Sequence, residues 1–179
     1  MKKQLIISVG REFGSGGHVI AETLAKRFDL PLYDSNILES IAQERNVDAK
    51  TLHRYDEVPR NILFSRRGRE YSTSAEENIA QMQFEYLKKK ADEGESFVVV
   101  GRCSETKLAG TPGLITIFVL GDIPVKTARI MKLHNLTEKE AKNMIEKQDR
   151  QRKMYHNYYV KGKWGDSRNY DLSINSSRM

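Results

Sequence analysis

A three-layer α/β fold, a parallel sheet with helices on both faces, is predicted by three observations. Short β-branched runs alternate with amphipathic segments along the chain, the pattern of strand–helix–strand units. A turn with three glycines in four residues, Gly14-Ser15-Gly16-Gly17, lies between a buried strand and a helix. At 179 residues, 39% of them apolar, the chain can bury one core without disulfides or metals.

Each element follows from its own residues. Leu5-Ile6-Ile7-Ser8-Val9 is an apolar run bounded by Gly10 and reads as a strand buried on both faces. Val19, Ile20, Leu24, Ala25 and Phe28 recur at helical spacing and predict a helix over 17–28. Residues 30–34 form a short second strand, and Ser35 caps a helix running to about Arg45. A polar stretch from Asn46 to Thr73 follows. Ile79, Met82, Phe84, Tyr86 and Leu87 then mark a helix over 75–92, stopped by Gly94. Phe97–Val100 and Leu114–Leu120 are strands, and a helix starts near Asp122. Thr137-Glu138-Lys139-Glu140 is a capping box opening a helix to about Tyr158, and 170–174 reads as the last strand.

Cys103 is the single cysteine, so no internal disulfide can form and a reducing, cytoplasmic setting is expected. The five-residue apolar run at the start breaks into charge at Arg11-Glu12, which argues against a signal peptide, and no segment has the length of a membrane span. The net charge of +6 fits nucleic acid, an acidic surface or phosphorylated small molecules. Its two clusters are Arg66-Arg67-Gly68-Arg69 and Lys88-Lys89-Lys90, the latter at a helix C-terminus where cations are favoured. Basic residues spread over many segments favour a polyphosphate cleft over a nucleic-acid stripe.

Gly10-Arg11-Glu12-Phe13-Gly14-Ser15-Gly16-Gly17-His18 is the candidate cleft. Its glycines let backbone N–H groups converge on an anion where the helix dipole is positive. Gly14, Ser15, Gly16, Gly17 and His18 are expected to hold phosphates. The lysine usual in such a loop is absent, since Gly17, His18 and Val19 close it. The missing charge must come from elsewhere, Arg11 being nearest, with the Ser15 hydroxyl a candidate near a magnesium ion.

This loop, Tyr33-Asp34, Val-Val-Val-Gly-Arg at 98–102, Asp149-x-x-Arg152 and Tyr-Asp-Leu-x-Ile-Asn-x-Ser at 170–177 together resemble the cytidylate kinase-like family. The resemblance runs nearly the length of the chain. It implies one P-loop NTPase domain with a five-stranded parallel sheet: a core of 1–45 and 96–179, a helical monophosphate-binding insertion at 46–95, and a lid at about 129–165. It implies ATP and Mg2+ as donor and cofactor and a small phosphorylated acceptor, CMP or dCMP first. By position, Asp34 would lie near the acceptor, Arg102 would bind its phosphate, and Arg129, Arg150 and Arg152 would neutralise the transferring group, with Arg11 supplying the missing loop charge. A solvated helix face, with Glu146 paired to Arg150, is the plainer account of any one lid arginine. Three positions depart from the family pattern: Gly17 replaces its loop lysine, Cys103 the aspartate after Gly-Arg, and Ser40 an arginine. The resemblance also implies a further helix beyond Met179.

Two other readings stand beside phosphoryl transfer to a nucleotide. One is a nucleotide-binding module without turnover; the other is a kinase of a different phosphorylated small molecule. Among the remaining residues, Cys103 is expected to be buried, and Tyr155, Tyr158, Tyr159 and Trp164 are expected to pack the lid on the core. His53, His134 and His156 lack metal-ligand spacing.

Overall fold

The computed structural model describes residues 3–45, 50 and 75–178. Most of the predicted insertion, including Arg66, Arg67 and Arg69 and also His53, lies outside the described residues.

Five strands form one parallel sheet: β1 (Ile6–Arg11), β2 (Leu32–Tyr33), β3 (Phe97–Val100), β4 (Leu114–Leu120) and β5 (Leu172–Asn175), in the order β2-β3-β1-β4-β5. The helices are α1 (Gly17–Phe28), α2 (Ile37–Arg45), α3 (Ala75–Asp92), the short α4 (Ser104–Lys107), α5 (Ile123–His134) and α6 (Glu138–Tyr159). Alternation along the central strands sends side chains into two cores. Ile6, Phe97 and Val99 pack under α2 and α3 with Ile37, Leu38 and Leu87. Ile7, Val9, Val98, Val100 and Val119 pack under Ala21 and Ala25 of α1. Helices therefore cover both faces, as the unbroken apolar strands require.

Two turns position the ligand side. Helix α5 ends at Asn135, whose left-handed φ of 52° reverses the chain before Thr137 caps α6. The expected lid region is thus two antiparallel helices, packed through Ile130, Ala141 and Ile145 with Phe13 of the glycine loop against them. After β3, Gly101, Arg102 and Cys103 all take positive φ (74°, 61° and 52°) before α4 begins. Two successive non-glycine residues there cost about 1–2 kcal/mol each. The turn is held by Ser104, whose hydroxyl donates to the Gly101 carbonyl at 2.7 Å and lies 2.7 Å from the Ser8 hydroxyl of β1. Among the described residues, no helix is long and apolar enough to cross a membrane.

Candidate active site

The carboxyl ends of β1 and β3 meet α5 and α6 at one edge of the sheet, the place where open α/β folds bind ligands. The glycine loop leaves β1 at Arg11 and runs along α5. Gly14 rests on the Lys126 stem and Ile130, and Gly16 lies against the Arg129 guanidinium, which donates to the Gly14 carbonyl. Ser15 is fully buried: its hydroxyl donates to the Glu12 carbonyl at 2.8 Å and accepts the Gly17 N–H at 3.3 Å. The Ser176 hydroxyl donates to the Ser15 carbonyl at 2.6 Å, fastening the loop from the end of β5. The hydroxyl expected near a metal is therefore turned into its own loop.

Beneath the loop lies a charged cluster. The Lys126 ammonium, its side chain 3% exposed, sits 3.0 Å from Glu12 Oε2 and 3.1 Å from Asp149 Oδ2. The second Asp149 oxygen accepts the Phe13 N–H at 2.6 Å, and Glu12 Oε2 also accepts the Gly121 N–H at 3.1 Å. One lysine and two carboxylates thus tie the loop, the end of β4, α5 and α6 together.

Two cavities adjoin at this edge. The first, about 360 Å³, lies on the glycine loop and is lined by Arg11, His18, Asp34, Arg129 and Arg152 among others. Asp34 is held there by His18, with Oδ2 3.2 Å from Nδ1, while the other ring nitrogen lies 3.4 Å from Glu22. The second, about 310 Å³, reaches from Arg11, Arg102 and Arg152 to Glu105, His156 and Trp164. Arg11 and Arg152 line both. Arg152 donates to the Arg11 carbonyl at 3.3 Å and stacks 5.4 Å over the Phe13 ring. Arg102 is buried beside Gln83, its Nη1 3.4 Å from the amide oxygen. Arg150 instead faces solvent, paired with Glu146 at 2.6 Å.

Of the five arginines singled out in the sequence, three line the loop cavity, Arg102 lines its neighbour, and Arg150 joins neither. Lys89 and Lys90 of the second basic run are engaged by Glu44 and Glu95. Cys103 is buried against Phe84, Tyr155 and Val160. Trp164 and Tyr155 both pack and line the second cavity, Trp164 edge-on to Phe118. Burial, with the Glu105 carboxylate nearby, holds the Tyr170 phenol of this cavity well above its ordinary pKa, so it stays protonated.

Sequence reasoning passed over Lys126 and did not join Glu12 or Asp149 to it. It also missed the buried pair of His156 Nε2 and Glu105 Oε1, 2.8 Å apart. Asp149 did stand in a quoted motif, three residues before Arg152, and that spacing was the available signal. Lys126 had none. Its helix neighbours one turn away disagree, Ile123 being 52% exposed and Ile130 2%, so helical periodicity does not single the lysine out.

Comparison with known proteins agrees with this architecture. A model described as the cytidylate kinase-like family matches residues 6–178. A crystal structure of an uncharacterized protein from Eubacterium ventriosum ATCC 27560 is 40% identical, covering 98% of this chain and 90% of that one, with a TM-score of 0.77. Shikimate kinase from Bacteroides thetaiotaomicron is 14% identical over 96% of this chain and 86% of its own, with a TM-score of 0.53. TT1252 from Thermus thermophilus is 16% identical, covering 97% and 89%, with a TM-score of 0.51. These two share the fold. No curated protein matches the chain.

Proposed function

The chain belongs to the cytidylate kinase-like family, and from that premise we propose that it transfers the γ-phosphoryl group of ATP to a small phosphorylated acceptor, with CMP or dCMP the first candidate. The observation that carries this reading is the wall of Arg11 and Arg152 common to the loop cavity and its neighbour. ATP would lay its phosphates on Gly14–His18 under Arg129. The acceptor phosphate would enter the second cavity on Arg102, with Asp34 at the loop edge on the substrate side. An acceptor oxygen then forms a bond to the γ-phosphorus while the bond to the β-bridging oxygen breaks. Charge spread over the equatorial oxygens would fall between Arg11 and Arg152, which replace the absent loop lysine. Arg150 would take part only by leaving Glu146.

Magnesium, when bound, would supply positive charge that offsets the charge of the phosphates. The Ser15 hydroxyl is buried and committed to the loop, so the ion's ligands would come chiefly from phosphate and water, as is usual for Mg2+.

The test is ADP release from ATP and Mg2+ against a panel of nucleoside monophosphates, with an acceptor-free blank. Turnover above blank is expected, with Arg152→Ala lowering kcat by about 10²-fold or more. Arg102→Ala should instead raise the acceptor KM. A nucleotide-binding module without turnover is the second reading, favoured by a loop with no room for a lysine at residue 17: an added Cβ would lie 2.5 Å from Arg11 Cβ. Measurable ATP binding with no turnover for any acceptor would select it.

A further inference from the structure

We propose that Lys126 is a positioning residue: with Glu12 and Asp149 it forms an ionic joint, buried at the lysine, that sets Arg129 and Arg152 over the glycine loop before any ligand arrives. The inference rests on the phosphoryl-transfer reading above. Lys126 and Arg129 are one turn apart on α5, and Asp149 and Arg152 are one turn apart on α6, so each pair shares a helix face. In both pairs the first residue belongs to the cluster beneath the loop and the second lines the loop cavity. The joint is closed by four contacts of 2.6–3.1 Å, two to the ammonium and two from backbone N–H groups of Phe13 and Gly121.

Moving α6 away from the loop must break Asp149 from both Lys126 and Phe13 before Arg152 can leave. The joint therefore opposes lid opening and holds the arginines pre-organised. Electrostatics points the same way. Two carboxylates under an anion site repel phosphate unless a cation stands between them, and Lys126 is that cation. A joint made for stability alone is served as well by an apolar side chain at residue 126, because taking the Lys126 ammonium out of water is costly. What the ions add is a geometry fixed by directional bonds.

The experiment compares wild type with Lys126→Met, which keeps the stem, and Asp149→Asn, which keeps an oxygen for the Phe13 N–H. Steady-state kinetics are run on the acceptor the wild type uses, at a temperature where circular dichroism shows each variant folded. A loss in kcat of about 10²-fold, with acceptor KM changed less than about threefold, is expected for a displaced arginine pair. A lower melting temperature with wild-type kcat would make the cluster merely structural and overturn the proposal. If the wild type binds ATP but does not turn over, the transfer reading fails separately. The joint is then read from the variants' ATP affinity and amide exchange at Phe13. Weakened affinity with faster exchange supports the joint, and unchanged values overturn it. Wild type that neither binds nor turns over ATP, or two variants that never fold, also overturns it.

Discussion

A side chain at residue 17 collides with Arg11, because an added Cβ lies 2.5 Å from Arg11 Cβ and 3.2 Å from Val119 Cβ. The Arg11 guanidinium continues across Gly101, where an added Cβ would meet Nη1. Two glycines thus clear a path for one arginine, which reaches the cavity on the glycine loop from the end of β1. Gly17→Lys should consequently destabilise the protein by about 1–3 kcal/mol, the usual cost of overpacking, and should not raise turnover. Urea unfolding and the ADP-release assay check the two halves. A stable, faster Gly17→Lys variant would show that Arg11 yields easily. At this scale the glycine loop was legible because its residues are contiguous and its composition is unusual. The Arg11–Gly17–Gly101 passage was not, because it joins positions about 90 residues apart through contacts that leave no periodic trace.

Among the elements, α6 shows how much local chemistry announces itself. Thr137 and Glu140 make the reciprocal capping box that their spacing predicts, with the Glu140 carboxylate accepting from the Thr137 N–H at 2.9 Å. Four residues of α4 are too few for periodicity, and the left-handed turn before it contains only one glycine, so it escaped notice. Strand β5 is joined to β4 by Asp171, whose carboxylate accepts the Thr116 N–H and hydroxyl, each at 2.8 Å. The Thr116 N–H first, and then its hydroxyl, hold this carboxyl below its ordinary pKa. A depressed folded-state pKa adds stability above the unfolded value, about 3.9, and loses it as pH falls through the folded one. Wild type should therefore melt above Asp171→Asn at pH 6, with the difference closing below about pH 4. Thermal melts across that range decide it. A constant offset would mean that shape, not charge, makes the link.

For the molecule as a whole, charge and mass action bear on ligand binding. With a net charge of +6 and three arginines on the loop cavity, ATP binding should weaken as salt screens the exposed part of this field. At a hundredfold excess over Kd, ATP should stabilise the fold by about 2.7 kcal/mol, a shift of roughly 5–11 °C. Differential scanning fluorimetry at low and high salt tests both statements; no shift at either would remove nucleotide from the account. Fold class was legible at this scale because strands buried on both faces are apolar throughout. The order β2-β3-β1-β4-β5 was not, since no residue in a uniformly apolar strand names its neighbour.

That order also sets a schedule. Strand β1 lies between β3 and β4, and Ile6 pairs with Phe97, about 90 residues further on. On a ribosome adding 5–20 residues per second, the first strand made waits roughly 5 to 20 s for its nearest partner to be synthesised. During that interval Ile6, Ile7 and Val9 are available to any other strand in the crowd. In the nascent chain, the segment that leads into the glycine loop is also the one left longest without its neighbours.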